Sequence, residues 1–304
     1  MSRLKQVILT FAPEFILRIL RNLKKKIRRK ELLQRAVSKE FIPENQLLNN
    51  LKAIGLKEGD SVLVHSSMSK IGLLEKGPET LIDSLLAIIG KEGTLLMPAF
   101  PAKGRNKDYL IANASFDILK TPSNMGVVTE CFRTLPGVKR SFHPTDSVCA
   151  LGPLADYYTN SHFGELTPYS KNSPFRKLCT KNGKILMLGT TLNGACTNLH
   201  TLEDAVDFKY PVYDNTLFTV EMMNEQGEKS IMKTKVHNPV YSAKRNCDAL
   251  KPLFEKEGVL INGKIGEAES MLIDANAMLD CMIRNYNVYG VTMYTPYGEK
   301  GELK

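Results

Sequence analysis

The sequence predicts an α/β protein in which a mixed sheet is flanked by helices, with a basic amphipathic helix at the N-terminus. Short runs rich in branched apolar residues are typical of buried strands, and they occur at residues 61–65, 94–98 and 184–189. Between the first two runs, Pro78 opens a segment whose apolar residues fall on one helix face up to Ile89. Strand, helix and strand joined by short connections place helices on the faces of a sheet.

The second half of the chain continues this pattern. Apolar runs at 217–223 and 230–236 flank a turn and predict a hairpin. Residues 247–257 and 267–284 predict helices, and residues 288–293 predict a final strand. We therefore expect an arm of residues 1–40 followed by one mixed domain of residues 41–304.

The formal net charge of +9 is concentrated in the arm. The first 35 residues hold eleven of the 41 bases and two of the 32 acids, which leaves thirty of each in the rest of the chain. Because nucleic-acid binding needs bases spread over a folded face, we expect no nucleic-acid partner.

The arm itself predicts an amphipathic helix. Apolar residues recur at three- and four-residue steps between residues 15 and 27, and Lys and Arg fill most of the other positions. Such a helix can lie on an anionic membrane, so residues 3–35 are a candidate membrane contact. Alternatively, the apolar stripe packs on the body or on another subunit, as in a homodimer.

The cellular location of the protein is predicted from its cysteines and its hydropathy. The six cysteines lie far apart, which indicates a reduced compartment and no structural metal site. Val7 to Leu20 is too short and too polar to cross a bilayer. We expect a cytoplasmic protein, with peripheral contact at the inner membrane face through the arm.

Hydroxyl groups cluster where the first strand ends. Ser66, Ser67 and Ser69 follow His65 there, and ligands of open α/β sheets usually bind at strand carboxyl ends. These hydroxyls could bind amides or phosphates, or they could only finish a turn and cap a helix. Residues 123–126 precede another predicted helix, so they offer either an anion site or an ordinary cap.

His200 is the most informative histidine. It follows the strand at 184–189, and Glu203 is three residues further on, so the two side chains can share a helix face. This pair could act as a general base and its partner, although a capping histidine is the alternative. Cys196, four residues earlier, leaves a Cys–His nucleophile open.

Short motifs that keep their order along the chain include residues 64–67 (VHSS), 93–98 (GTLLMP), 143–145 (HPT), 183–189 (GKILMLG) and 197–203 (TNLHTLE). Together they resemble the aminoglycoside 3-N-acetyltransferase family, also called the antibiotic N-acetyltransferase family, over roughly residues 45–285. The resemblance implies an antibiotic N-acetyltransferase-like fold. It also implies direct transfer from acetyl-CoA to a small-molecule amine, without an acyl-enzyme.

The resemblance implies roles for individual residues. His200 would be the catalytic base, and Glu203 would hold the ring or attract the substrate ammonium. The residues that would line the coenzyme channel are His65, Ser66, Ser67, Ser69, Ser123, Met125 and Gly126. The candidate substrate-binding residues are Asp146, Glu203 and Asp207.

Two positions depart from the family pattern. Gly194, next to Asn193, stands where family members typically carry an Asp, so the usual partner of the catalytic ring is missing. Asp146 stands where they carry a second histidine in the His-Pro-Thr-His-Ser turn, which changes the charge beside the cleft.

Three functions remain open from the sequence. The basic arm favours N-acetylation of an amino sugar that is a nucleotide-linked or lipid-linked intermediate of surface polysaccharide synthesis. The alternatives are an aminoglycoside 3-N-acetyltransferase that confers antibiotic resistance, and a membrane-surface binding protein without catalytic activity on the same scaffold.

Overall fold

The computed structural model describes residues 14–299 and confirms a mixed α/β fold. The strands form a seven-stranded sheet and a separate three-stranded sheet. In chain order the strands are β1 Ser61–Ser66, β2 Thr94–Pro98, β3 Ser115–Asp117, β4 Lys139–Arg140, β5 Val148–Leu151, β6 Lys184–Leu188, β7 Phe218–Met223, β8 Lys229–Thr234, β9 Leu260–Ile265 and β10 Ala268–Asp274.

The helices pack on both faces of the large sheet, and two short 3₁₀ segments, Thr197–Leu202 and Cys247–Leu250, interrupt the connections. The α-helices are α1 Glu14–Val37, α2 Glu44–Ala53, α3 Met68–Ile71, α4 Pro78–Ile89, α5 Asn106–Ala112, α6 Val127–Arg133, α7 Ala155–Thr159, α8 Pro174–Thr180, α9 Leu192–Ala195, α10 Pro239–Ser242, α11 Lys251–Lys256 and α12 Ala275–Tyr289.

The large sheet has the strand order β4-β5-β2-β1-β6-β10-β9. Its three central strands, β2, β1 and β6, run parallel, whereas β5 and β10 pair antiparallel on either side of them. The central strands are buried on both faces, as expected for strands covered by helices on each side. In β1, Leu63 faces one apolar core, and Val62 and Val64 face the other.

The predicted helix at 267–284 is wrong in its first part. Residues 268–274 form β10, which pairs antiparallel with both β6 and β9, and the helix begins only at Ala275. Five of the seven residues of β10 are buried. Backbone pairing on two sides and this burial outweigh the local helical pattern. The side chain of Asp274 accepts a hydrogen bond from the backbone of Ala277 and starts α12 there.

The predicted final strand at 288–293 is also wrong. Helix α12 continues to Tyr289 and ends at Gly290, which adopts the left-handed conformation with φ of 70°. Val291 and Met293 are buried beyond this turn, so the apolar run fills the core as a loop. In contrast, the hairpin predicted at 217–236 is present as β7 and β8.

Helix α1 confirms the predicted basic amphipathic helix from Glu14 onward. The part of the prediction that falls on residues 3–13 lies outside the described residues. Among residues 14–299, no helix has the length and apolar character needed to cross a membrane.

Candidate active site

A cleft of about 200 Å³ lies where the loops after the parallel strands meet. Strands β1, β2 and β6 are parallel, so their carboxyl ends share one edge of the sheet. Phe100 and Arg105 follow β2, while Thr197 and His200 follow β6. Asp146 precedes the antiparallel β5 and therefore reaches the same edge. This is the edge at which open α/β sheets usually bind ligands.

His200 and Glu203 form the centre of the cleft wall. The Nδ1 atom of His200 lies 3.0 Å from Oε1 of Glu203, across one turn of the 3₁₀ segment. The side chain of Glu203 is fully buried, and that of His200 is 7% exposed. The predicted pair is therefore brought together, with the carboxylate behind the ring and the ring at the cleft.

Arg245 fixes the tautomer of His200. Its Nη1 atom lies 2.7 Å from Nε2 of His200, and because a guanidinium nitrogen can only donate, Nε2 must accept. The proton of the neutral ring then sits on Nδ1 and is donated to Glu203. The lone pair of Nε2 points away from the buried carboxylate, as a base that serves a bound amine requires.

Two further residues hold Glu203, and sequence reasoning missed both. The Nε2 atom of His237 lies 2.6 Å from Oε2, and the hydroxyl of Tyr294 donates to Oε1 at 2.7 Å. His237 follows β8 and Tyr294 follows α12, and neither lies in a motif that points to residue 203. No local sequence signal brings these distant segments to residue 203.

Asp146 lies in the cleft but is already bonded. Its Oδ1 accepts from the hydroxyl of Tyr169 and its Oδ2 from the amide of Asn106, each at 2.9 Å. Asp146 is buried, and this burial raises the pKa of its carboxyl group. Asp146, which stands in place of the family histidine, therefore adds a carboxylate whose two oxygens already accept hydrogen bonds from neighbouring side chains.

The predicted coenzyme residues lie next to the cleft in two groups. His65 is buried at the end of β1, 3.5 Å from the hydroxyl of Thr197 in the cleft wall. The backbone N–H of Ser67 donates to Leu188 at the end of β6. Ser66 and Ser67 are partly exposed, and the carbonyl of Ser69 accepts a hydrogen bond from Arg28 of α1.

The second group precedes α6. Ser123 is buried, its backbone N–H donates to Glu130 at 2.7 Å, and its hydroxyl accepts from the N–H of Met125. Gly126 has φ of 118°, a conformation that favours glycine, and has open space around its Cα. The neighbouring Asn124 donates to the carbonyl of Phe100 in the cleft wall.

The remaining candidates lie apart from the cleft. Asp207 is exposed and does not line it. Asn193 bonds Asp248 and Cys247 through its backbone N–H and its side-chain oxygen, and the N–H of Gly194 donates to Thr191. Neither Asn193 nor Gly194 hydrogen-bonds the ring of His200, whose carboxylate partner is Glu203. Cys196 packs in the apolar core, and burial raises the pKa of its thiol, which disfavours a nucleophile.

The triad of His200, Glu203 and His237 also has the composition of a metal site. Their ligand atoms lie within 4.8 Å of one another. However, both carboxylate oxygens of Glu203 already accept hydrogen bonds from the two rings, and the positively charged Arg245 donates to Nε2 of His200. This arrangement fits a hydrogen-bonded base better than a set of metal ligands.

Burial determines the charge state of the pair. It lowers the pKa of His200 to about 4, although the nearby charge of Glu203 acts to raise that pKa. The imidazole is therefore neutral and ready to accept a proton. Burial alone would raise the pKa of Glu203, but the two histidines outweigh it and lower that pKa. The pair is thus a neutral base on an ionised carboxylate.

The buried histidines predict a loss of stability in acid. Burial lowers the pKa of His65 and His200 from 6.5 to about 4, and that of His162 to about 3. Between these values the unfolded chain binds protons that the folded chain does not, so the free energy of unfolding falls as the pH drops below about 6.5. Above that pH both states are neutral and the effect is absent.

Chemical denaturation at a series of pH values would measure this slope. The variant His162→Gln should reduce it by about one proton, because that ring no longer titrates in the unfolded chain. An unchanged slope in this variant would contradict the assignment.

A family model described as aminoglycoside 3-N-acetyltransferase matches residues 63–287. Aminoglycoside N(3)-acetyltransferase IX of Micromonospora chalcea is 25% identical over an alignment of 261 residues, with coverages of 80% of this chain and 92% of that protein.

Solved structures agree with this match. AAC-IIIb in a binary complex with CoASH has a TM-score of 0.68 at 30% identity, covering 79% of this chain and 94% of that chain. AAC-VIa bound to sisomicin has a TM-score of 0.66 at 25% identity, covering 79% and 96%.

These findings confirm the predicted family, the acyltransferase class and the co-substrate, and they leave the alternative without catalytic activity unsupported. The chain belongs to the aminoglycoside 3-N-acetyltransferase family and is an N-acetyltransferase whose co-substrate is acetyl-CoA.

Proposed function

We propose that this enzyme acetylates an amino group of an aminoglycoside, with His200 as the catalytic base and Glu203 as its partner. The observation that carries the proposal is the position of His200, whose Nε2 faces the cleft while Nδ1 is held by a buried carboxylate. The acceptor class is supported by the relatives, because the family carries the aminoglycoside name and AAC-VIa binds sisomicin. They favour this acceptor over the polysaccharide intermediate that the arm suggested.

In the proposed reaction the amine nitrogen attacks the thioester carbon and forms the new C–N bond. One amine proton passes to Nε2 of His200, and the charge of Glu203 stabilises the imidazolium. When the C–S bond breaks, the leaving thiolate of CoA takes up that proton. Because Arg245 donates to the same nitrogen, its guanidinium has to move aside before Nε2 can accept.

The coenzyme channel proposed for this reaction runs between the turn at 65–69 and the start of α6 at 123–126. Its support is contact with the cleft, since His65 reaches Thr197 and Asn124 reaches Phe100. The N–H groups of Ser67 and Ser123 already donate to Leu188 and Glu130, so a neighbouring backbone N–H in these two segments would stabilise the negative charge that develops on the thioester oxygen.

Thiol release from acetyl-CoA, measured with sisomicin as acceptor, tests the proposal. We expect turnover that depends on the drug, with the acetyl group found on the 3-amino group by NMR of the product. Acetyl-CoA hydrolysis that no drug accelerates would overturn the acceptor class.

A second acceptor has its own structural support. Arg105 and Arg245 both line the cleft, whereas the carboxylate of Asp146 there is already bonded. A polycationic drug would face two guanidinium groups, while a phosphate next to the amino sugar could pair with them. A nucleotide-linked or lipid-linked amino sugar is therefore the second candidate.

The variant Arg105→Gln separates the two acceptors. For a nucleotide-linked amino sugar we expect KM to rise about tenfold or more, because a hydrogen bond to a charged group is lost. For sisomicin we expect KM to stay the same or to fall. Lys103→Gln is the matched control, since Lys103 is exposed in the same loop but does not line the cleft. Equal KM changes for both acceptors would contradict the anionic acceptor.

Other predictions from the sequence stay predictions. They are the homodimer, the cytoplasmic location with contact at the inner membrane face, substrate contact by Asp146, Glu203 and Asp207, and the division into an arm of residues 1–40 and an acetyltransferase domain of residues 41–304. The relatives reported above do not address the membrane or the oligomeric state.

A further inference from the structure

Helix α1 is attached to the body by polar contacts. Arg28 and Arg35 each bind one carboxylate oxygen of Glu267 at 2.5 Å, and Nε of Arg28 donates to the carbonyl of Ser69 at 2.9 Å. Glu267 directly precedes β10, which runs antiparallel to β6, so it stands at the same edge of the sheet as the cleft. The arginine face of the helix is therefore the face that meets the body.

The apolar stripe of α1 is a different face, and it is exposed. Its members Ile19, Leu23 and Ile27 are 58%, 51% and 61% exposed, and Leu20 is 38% exposed. With 3.6 residues per turn, Arg28 and Arg35 point roughly 80–100° away from Ile27 around the helix. The attachment to the body therefore leaves the stripe uncovered.

Exposed bases surround this stripe. Lys25 and Arg29 are exposed on the far side of the helix, whereas Lys24 and Lys26 flank the stripe and Lys30 continues it by one turn. These three bases are exposed, and in the part of the chain that the structure describes no acidic side chain pairs with them. A second copy docking stripe to stripe would bring these like charges together. An anionic lipid surface would instead neutralise the bases and bury the apolar side chains at the same time.

We infer that the stripe formed by Ile19, Leu20, Leu23 and Ile27 inserts into the headgroup layer of an anionic membrane, with the surrounding bases on the lipid phosphates. The two arginines on Glu267 keep the helix on the body while it lies on the lipid. The enzyme then works with the cleft edge of its sheet next to the membrane. This inference does not depend on which amine is acetylated.

Vesicle sedimentation of the full chain tests the inference. We expect binding to vesicles of phosphatidylcholine mixed with phosphatidylglycerol, weaker binding as salt is raised, and no binding to phosphatidylcholine alone. Ile27→Glu should lower the partition coefficient about tenfold or more, because an inserted apolar side chain becomes an acid.

Ala36→Glu is the matched control. Ala36 is exposed on the same helix, nine residues from Ile27 and roughly 180° around the axis, and the substitution changes the charge equally. We expect it to keep most of the binding. Equal losses in the two variants, equal binding to both vesicle types, or no binding by the unmodified chain would overturn the inference.

Light scattering in solution tests whether a second copy of the chain, rather than a membrane, covers the stripe. A dimer that Ile27→Glu converts to a monomer would show that a second copy covers the stripe, and would also overturn the inference. Acetyl transfer to a freely dissolved amine should stay unchanged in Ile27→Glu, so that a failure of membrane binding is distinguished from a failure of the proposed reaction.

Discussion

Replacing His200 with alanine should lower kcat by about 10²–10⁴-fold, the usual contribution of a positioned general base. The imidazole is neutral, since burial lowers its pKa to about 4, and its Nε2 atom becomes the base once the guanidinium of Arg245 moves aside. Without it the incoming amine has to lose its proton to solvent. We expect KM for acetyl-CoA to change little, because the proposed coenzyme turn lies on other segments.

Single-turnover kinetics with His200→Ala and His200→Gln would measure this loss. The glutamine variant can hydrogen-bond but does not act as a base, so it should be as slow as the alanine variant. A glutamine variant with nearly full activity would assign His200 a structural role.

Replacing Glu203 with alanine should reduce both stability and activity. Its carboxylate accepts hydrogen bonds from His200, His237 and Tyr294 and is fully buried. Removing it leaves these groups without their partner, and each buried donor left unsatisfied costs about 1–3 kcal/mol of the free energy of unfolding. We also expect kcat to fall, because the ring of His200 loses both its orientation and the charge that stabilises the imidazolium.

Denaturant unfolding and kinetics on the same samples would separate the two effects. Asp60→Ala is a suitable control, because Asp60 is nearly buried in an ion pair with Lys184 at the opposite end of the parallel strands. It should destabilise the chain without lowering kcat in the folded enzyme. Glu203→Gln keeps the size of the side chain, so it should lose less stability than Glu203→Ala but still lose activity.

The buried parallel strands were predictable because their residues carry the signal themselves. Residues 61–65, 94–98 and 184–189 are short, apolar and rich in branched side chains, and each forms a central strand. Residues 268–274 could not be identified in this way. Their strand depends on pairing with β6 and β9, and such contacts leave no local pattern.

The candidate site also has one part that was predictable from the sequence and another that was not. His200 and Glu203 were found because both lie in one short motif and share one turn. His237, Arg245 and Tyr294 come from segments 37 to 94 residues away from His200 along the chain, and only folding brings them to the same carboxylate and ring. The residue types Tyr, Arg and His do not by themselves indicate that these side chains contact Glu203 or His200.

The loop after β2 carries Arg105, a position at which the proposed acceptor specificity can change. Arg105 is an exposed side chain at the rim of the cleft, outside the hydrogen-bonded group around Glu203 and away from the packed strands. Exchanging it for an acid would reverse the local charge at little cost in folding, since surface substitutions usually change stability by less than about 0.5 kcal/mol. A single substitution at the rim would thus move this scaffold between the two proposed acceptor classes, phosphorylated and polycationic.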